Sequence, residues 1–365
     1  MRISRSNLLT SMTLLFGILL NNFSAAQSVE FGQDATGDPN VVHIQGNSSG
    51  FLYSERIIFT AAHVLNQLRI QPNGDTDGFV YAPGLADKTN AKRYKIIKAF
   101  IPKTFISPTK NPPQPLDDFA IIVLNEDMPL KTKVVIATEQ QMIRFAQEKV
   151  KVQMVGYGLQ SGSQRSDPQE IKRAPYKLES YLYSPQMMQS FYAVSSKPPL
   201  WNTTEWGAIH TQATGSICNA DSGSGFFVQE NDIRYYVGTA GNGLGISNCQ
   251  ADGSVNMDPA GGMSWFPAPF KFLDLLKTAE TFVAEEKAAA VLKAKQEAEA
   301  IAAAELNAKQ EAEAKAAAEL LAKQEAAAAA KAAALKKTTI TCLKGKLVKK
   351  VTGVKPVCPK GYRKK

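Results

Sequence analysis

The stretch 216-SICNADSGSGFFV-228 places Ser222 between an acid and a glycine, just before an apolar run that is typical of a β-strand. A serine hydroxyl is a weak nucleophile unless a base stands beside it. If Ser222 carries out chemistry, the chain has to supply a histidine, together with an acid that orients the histidine. Otherwise the stretch is a polar turn that leads into a strand.

The sequence around this stretch has the pattern of an all-β fold. Short apolar runs rich in β-branched and aromatic residues alternate with clusters of Gly, Pro, Asn and Ser, which favours a barrel or sandwich over βαβ units. One helical segment, 269-PFKFLDLLKTAETFVAEEK-287, closes the region, with Pro269 in its first turn. The apolar runs are 41-VVHI-44, 50-GFLY-53, 56-RIIFTAA-62, 94-YKIIKAFI-101, 119-FAIIVL-124, 150-VKVQMVGYG-158, 225-GFFV-228 and 235-YYVGTAG-241.

Composition divides the chain into four segments. Residues 1–26 combine a basic start, an apolar stretch and small residues up to Ala26, which predicts a secretory signal peptide. Residues 27–277 form the globular domain, and residues 278–337 form an Ala/Lys/Glu-rich helical spacer. Residues 338–365 form a small basic end-module. Since no later apolar run reaches about 18 residues, we expect no transmembrane span after the signal is removed.

The spacer contains a repeat of strong helix formers, in which KQEAEAIAAAELNA is followed by KQEAEAKAAAELLA. The repeat length equals two heptads, so a weak coiled coil stays open beside a solvated single helix. The repeat places leucines at positions 292, 306 and 320. The positions midway between them are Glu299 and Glu313, and these charged residues interrupt an apolar seam. A helix of about 50 residues would span on the order of 75 Å.

The positive charge is concentrated at the C-terminal end. Of the net charge of +9, residues 336–365 contribute eleven Lys and Arg and no acid; removing these and Arg2 and Arg5 leaves −4 for residues 27–335. This distribution argues against a specific nucleic-acid role for the whole chain. It favours an end-module that binds an anionic cell-wall polymer or a membrane surface, while a solubilising tail without a partner stays open.

The four cysteines allow three disulfide connectivities. Sequence proximity favours Cys218–Cys249 and Cys342–Cys358, as an exported chain would permit. No CxxC pair or His/Cys cluster indicates a metal site, and we expect no cofactor.

The search for a base is short, because the chain has three histidines. His43 lies in an apolar run and His210 beside turn residues, so both are interpreted as structural. His63 differs because it lies in 58-IFTAAHVL-65, where a strand ends and a short helix could begin.

Four boxes in this sequence resemble those of the chymotrypsin/trypsin-like serine proteases, in their secreted bacterial form. The run 60-TAAHVL-65 resembles the TAAHC box, and 118-DFAIIVL-124 resembles the box that carries the family's acid. Further on, 153-QMVGYG-158 resembles the GWG strand, and 218-CNADSGSG-225 resembles C-x-G-D-S-G-G-P. The order His, Asp, Ser also matches. The resemblance covers about residues 40–277.

This resemblance implies two six-stranded Greek-key β-barrels with a C-terminal helix, and an acyl-transfer reaction. Ser222 would be the nucleophile, His63 the base and Asp118 the acid that orients the base. Asp117 is a rival acid, but Asp118 stands directly before the apolar run, as the family pattern requires. The backbone N–H groups of Ala220 and Ser222 would stabilise the oxyanion.

The resemblance also bears on the substrate pocket. Its floor would be Ser216, which is uncharged; this argues against cleavage after Lys or Arg and favours apolar or aromatic side chains. The segment 238-GTAGNGL-244 stands where the family has a strand ending in Ser-Trp-Gly, so Gly241 and Gly243 would line the wall. A disulfide Cys218–Cys249 would brace this pocket.

Two departures from the family pattern affect function. Ala220 stands where the family usually has glycine. No Ile-Val-Gly-Gly start follows a basic residue, so we expect Asp221 to be held by internal hydrogen bonds rather than by a newly cleaved N-terminus. The sequence therefore predicts a secreted serine endopeptidase held near the cell envelope; the alternative is a catalytically inactive protease fold used as a binding or adhesion module.

Overall fold

A computed structural model of the chain describes residues 32–46, 48–68, 70–71, 74–105, 117–158, 172–193, 204–210, 217, 220–244 and 263–365. The predicted signal peptide and its cleavage site after Ala26 lie outside these residues.

A closed barrel follows a short first strand, β1 (Gln33–Asp34). A 3₁₀ helix, Ala62–Leu68, leaves the barrel after its third strand. Three of the barrel strands are buried along their whole length, because one face fills the barrel and the other packs against the second half of the domain. The barrel strands are β2 (Val41–Ile44), β3 (Ser48–Ser54), β4 (Ile57–Thr60), β5 (Phe79–Tyr81), β6 (Arg93–Phe100) and β7 (Ala120–Leu124), joined in the order β2-β3-β4-β7-β6-β5.

The second half of the domain is a nine-stranded sheet that includes β1. Its other strands are β8 (Lys133–Ile136), β9 (Lys151–Gly156), β10 (Tyr176–Tyr183), β11 (Trp206–Ile209), β12 (Gly225–Glu230), β13 (Ile233–Thr239), β14 (Asn242–Leu244) and β15 (Met263–Phe266). They run in the order β14-β15-β11-β10-β9-β12-β13-β8, and β1 pairs with β10. All pairs are antiparallel except β8 with β13.

An aromatic cluster joins the barrel to this sheet. Phe51 and Phe59 of the barrel meet Tyr236 of β13 at ring-centroid distances of 5.1 and 4.9 Å. Phe119 stacks on Phe272 at 4.8 Å, which brings the start of the C-terminal helix onto the same cluster. Aromatic side chains bury large apolar areas, so they contribute strongly to the stability of such a contact. The two halves of the domain are therefore joined by a packed core.

Two short helices, α1 (Glu139–Gln147) and α2 (Pro185–Ala193), were not expected from the strand-rich pattern. Helix α1 begins with a capping box, in which the Thr138 hydroxyl accepts from the Gln141 N–H and the Gln141 side chain accepts from the Thr138 N–H. Its buried face presents Met142 and Phe145 to the core of the second half. The capping box is a local sequence signal for the start of a helix, but nine residues are too few to establish a 3.6-residue period of apolar residues.

Helix α3 (Leu273–Ala334) follows a 3₁₀ turn, Pro269–Phe272, and has 62 residues. Only its first turns are packed, through Leu276 and Ala279, whereas residues 288–334 are exposed throughout. The chain divides into two compact units, and the boundary lies between Glu285 and Glu286. Among the described residues, no helix is long and apolar enough to cross a membrane. The predicted segment boundaries and the coiled coil stay predictions.

The C-terminal module is a small three-stranded sheet of β16 (Thr338–Lys344), β17 (Leu347–Gly353) and β18 (Arg363–Lys364), in the order β17-β16-β18. A disulfide joins Cys342 to Cys358, with the two Cα atoms 5.7 Å apart, and confirms that predicted pair. Cys342 is fully buried. In a module with so little apolar area, the covalent link replaces the core that 28 residues cannot provide.

Candidate active site

His63 and Asp118 are brought together by two neighbouring strands of the barrel. His63 lies in the 3₁₀ helix just after β4, and Asp118 lies just before β7, which pairs with β4 in the register Thr60↔Ala120. The His63 backbone N–H donates to Asp118 Oδ1 at 2.9 Å, and His63 Nδ1 lies 2.7 Å from Asp118 Oδ2. Both carboxylate oxygens thus hold the same residue, which fixes the imidazole in place.

The environment of this pair makes His63 a stronger base. The Asp118 side chain is 1% exposed and that of His63 is 25% exposed. Burial lowers the pKa of His63, but the hydrogen bond and the negative charge of Asp118 raise it by more, so the net pKa lies above the ordinary 6.5. Because a carboxylate can only accept, Nδ1 carries the proton and Nε2 is left as the acceptor.

Ser222 lies in a turn that is pressed against the end of β4. The next residue, Gly223, has φ +90°, and a β-carbon there would lie 2.1 Å from the Ser49 carbonyl oxygen and 2.2 Å from Thr60 Oγ1. Only glycine fits this approach. The Gly223 N–H donates to the Ala240 carbonyl at 2.6 Å. Thr60 is three positions before His63, so the Ser222 turn packs against the backbone that leads to the histidine.

Ser222 and His63 are both among the described residues, and no hydrogen bond joins the Ser222 hydroxyl to the His63 ring. Ser222 is half-buried. Nucleophile–base hydrogen bonds are often long without substrate and tighten in the complex. The rival acid Asp117 has φ +52° and is half-buried, and it is Asp118 that bonds to the histidine.

Gly241 lies directly against the acid. A β-carbon at this position would be 2.6 Å from Asp118 Oδ2 and 3.3 Å from Asp118 Cγ. The adjacent Ala240 pairs with both Gly223 and Ser224, at 2.6 and 2.7 Å. The two residues that follow β13 therefore contact both the acid and the Ser222 turn.

Ala220 adopts the conformation that glycine would adopt, with φ +74°. A residue with a β-carbon is disfavoured in this left-handed region by about 1–2 kcal/mol. Its carbonyl accepts a hydrogen bond from the Ser49 hydroxyl at 3.0 Å. Alanine at this position therefore carries a backbone strain that glycine would not.

Asp221 is 1% exposed and is held from inside the domain. Its Oδ1 accepts from the Gly158 N–H at 2.8 Å. A β-carbon on Gly156 or Gly158 would lie 2.2 Å from the Asp221 carboxylate, so the GYG stretch at the end of β9 leaves room for the acid. The expectation that internal hydrogen bonds hold Asp221 agrees with this geometry.

A protein-family comparison decides the identity of this domain. The family model named Trypsin matches residues 31–256. The chain belongs to the trypsin family. No curated protein matches the chain. The family match, the closed barrel, the long C-terminal helix and the Cys342–Cys358 disulfide confirm the predicted fold class.

Part of the predicted pocket of this trypsin-family chain lies outside the described residues, namely Ser216 and the pair Cys218–Cys249. Gly243 is described only as backbone, in β14, opposite Ser264 of β15. The aromatic residues Tyr236 and Trp265 are both fully buried and belong to core clusters.

The other two histidines are buried in the interior. Burial lowers the pKa of His210 to about 3, and its ring nitrogens meet the hydroxyls of Ser180 and Ser264. Burial, followed by the charges of Lys88 and Arg173, lowers the pKa of His43 to about 3. Both side chains are buried and neutral at pH 7, in agreement with their structural interpretation.

Ser49 is a residue of the site that no motif in the sequence indicates. It lies in β3, fully buried, and bonds to both ends of the Ser222 turn. A polar Ser-Ser pair at the buried start of a strand, 48-SSGFLYS-54, is the signal that could have drawn attention to it.

Proposed function

We propose that this trypsin-family protein is an exported serine endopeptidase that forms an acyl-enzyme on Ser222. The observation that carries the proposal is the hydrogen-bonded pair of His63 and Asp118, at 2.7 Å, next to the turn that holds Ser222. A base oriented by a buried acid is the requirement that a serine nucleophile sets.

In the first half of the reaction, Ser222 Oγ attacks the scissile carbonyl carbon. His63 Nε2 takes the hydroxyl proton, and the imidazolium so formed is stabilised by Asp118, which accepts from Nδ1–H throughout. The carbonyl oxygen becomes an oxyanion. The C–N bond then breaks as His63 returns the proton to the leaving amine, and the acyl group stays on Ser222.

In the second half, water replaces the amine. His63 takes a proton from the water as it attacks the acyl-enzyme, and then returns the proton to Ser222 Oγ as the ester bond breaks. The N–H groups of Ala220 and Ser222 donate to the oxyanion in both halves. Removing one such donor costs about 10²–10³ in rate.

Substrate selection is proposed to depend on an uncharged pocket. Ser216, which the family pattern would place at the pocket floor, has no carboxylate to pair with a Lys or Arg side chain, and Gly241 and Gly243 would add no side chain to the wall. A pocket of this composition favours apolar or aromatic side chains, whose burial provides the binding free energy. A profile of cleavage in a peptide library would test this preference.

Export and retention are proposed from the two ends of the chain. The signal peptide, residues 1–26, would direct secretion. The end-module would bind an anionic surface of the envelope, because residues 338–365 hold nine Lys and Arg and no acid. At its hairpin tip, Leu347 and Val348 are each 63% exposed between lysines, as suits a module that contacts a surface.

The test is hydrolysis of a peptide library by the purified secreted chain and by Ser222→Ala. We expect cleavage by the wild type, and none above background by Ser222→Ala of equal thermal stability. A well-folded wild type without activity would favour the alternative, an inactive protease fold that binds its partner without cleaving it.

A further inference from the structure

The hydroxyl of Ser49 connects three separate pieces of backbone. It accepts from the Tyr157 N–H at 2.9 Å and donates to the Ala220 carbonyl at 3.0 Å. An amide N–H can only donate and a carbonyl can only accept, so the directions of both bonds are fixed. Ser49 is fully buried, so no water competes for its hydroxyl.

The backbone of Ser49 adds a second pair of bonds. Its N–H donates to the Ser222 carbonyl at 2.9 Å, and its carbonyl accepts from the Thr60 hydroxyl at 3.0 Å. One residue of the barrel therefore holds the carbonyl groups of Ala220 and Ser222, on either side of Asp221. These are the two residues whose N–H groups would stabilise the oxyanion.

Ala220 needs such a restraint because of its strained backbone. Its φ of +74° is sparsely populated by residues other than glycine, and strained conformations persist only when the surroundings hold them. The angles φ and ψ together set the direction of the N–H relative to the carbonyl of the same residue. A restraint on the carbonyl of a residue whose φ is positive therefore restrains where its N–H points.

We propose that Ser49 is a positioning residue: its hydroxyl holds Ala220 in the left-handed conformation and so aims the Ala220 N–H at the oxyanion. This inference rests on the proposed peptidase function. Ser49 itself does not touch the substrate. With glycine at position 220 the left-handed conformation would be accessible without help. The effects of changes at positions 49 and 220 should therefore depend on each other.

The test is a double-mutant cycle of wild type, Ser49→Ala, Ala220→Gly and the double variant, read as kcat and KM for a peptide substrate. Ser49→Ala keeps the backbone bonds and removes only the hydroxyl. We expect kcat to fall roughly 10- to 100-fold with KM nearly unchanged, as for partial loss of one oxyanion donor. The double variant should return to within a few-fold of Ala220→Gly.

The control is Ser180→Ala, which removes another buried hydroxyl, one that bonds to His210. It should lower the melting temperature and leave kcat unchanged. A loss that persists undiminished in the double variant would overturn the inference, because a merely structural role of Ser49 has no reason to be rescued at position 220.

A crystal structure of Ser49→Ala separates this inference from the proposed function. We expect φ of residue 220 to turn negative in that variant, whether or not the enzyme is active. A φ that stays near its wild-type value would overturn the positioning role. A wild type that hydrolyses no peptide, with φ turning negative in Ser49→Ala, would instead contradict the peptidase function and leave the restraint supported.

Discussion

Gly241 and Asp118 are in such close contact that a single added carbon would disturb the acid: a β-carbon on Gly241 would lie 2.6 Å from Asp118 Oδ2. The same oxygen holds His63 Nδ1 at 2.7 Å. The carboxylate can move away from position 241 only by weakening its bond to the histidine. The absence of a side chain at Gly241 is thus part of what orients the base.

We therefore predict that Gly241→Ala lowers kcat by about 10- to 100-fold, since small displacements of a positioned group have effects of this size. Steady-state hydrolysis of a peptide substrate measures the change. Gly353→Ala is the control, because the nearest atom to its β-carbon would be in Pro356, at an ordinary contact distance of 3.8 Å. Equal activity of Gly241→Ala and wild type would show that Asp118 is not constrained from this side.

The acid limb of the pH profile should report the His63–Asp118 pair. His63 must be neutral to take a proton, and its pKa is raised, so kcat/KM should rise with pH to a midpoint above 6.5. In Asp118→Asn the two contributions that raise the pKa are lost while burial remains. We expect a lower midpoint and a rate reduced by about 10⁴.

Asp117→Asn serves as the matched control for Asp118→Asn, since asparagine also tolerates its φ of +52°. It should keep the wild-type profile. If instead Asp117→Asn abolished activity and Asp118→Asn did not, the assignment of the orienting acid would be reversed.

A blocked N-terminus should leave the enzyme active. Asp221 is held by the Gly158 N–H inside the domain, so no newly cleaved amine is needed to hold its carboxylate. A variant with a short extension before Gln27 should hydrolyse peptides as the wild type does, and N-terminal sequencing should find the extension intact. Activity that appears only after a cut within the first residues of the domain, before β2, would contradict this prediction.

Much of the fold could be predicted from local sequence, because strands buried on both faces appear as uninterrupted apolar runs. Residues 119–124 and 41–44 show this clearly, and they became β7 and β2. Strand β10 was missed, because its polar members alternate with buried ones and break the run. Helix α1 was missed because nine residues are too few to establish a period.

The residues of the candidate site whose type determines the chemistry could be predicted from the sequence. The residues whose role depends on tertiary packing could not. His63, Asp118 and Ser222 follow from motifs. Nothing local indicates that Ser49, far away in sequence, bonds to the Ser222 turn, since such contacts depend on how the barrel meets the sheet. The strain at Ala220 likewise becomes visible only as a backbone angle.

Retention by the end-module should be salt-dependent and separable from catalysis. We predict that the full chain co-sediments with cell walls or with vesicles containing anionic lipid at low salt and is released at high salt, because ionic contacts are screened. A chain ending at Lys337 should stay in solution and hydrolyse soluble peptides unchanged. Sedimentation with cell walls alone would identify a wall polymer as the source of the negative charge, and sedimentation with vesicles would identify a lipid surface.

The lysines of the hairpin provide a charge-matched comparison. Replacing Lys349 and Lys350 by Gln should weaken sedimentation, whereas replacing both by Arg should preserve it. Binding that is independent of salt, or unaffected by removal of residues 338–365, would contradict the proposed role of the module.

The most direct test of the account is reaction of the purified chain with a fluorophosphonate, followed by mass spectrometry of the adduct. We predict one covalent phosphonyl group on Ser222 in the wild type, and none in Ser222→Ala or in wild type unfolded beforehand. A folded wild type that takes up no label, or takes it up at another serine, would contradict the assignment of Ser222 as the nucleophile.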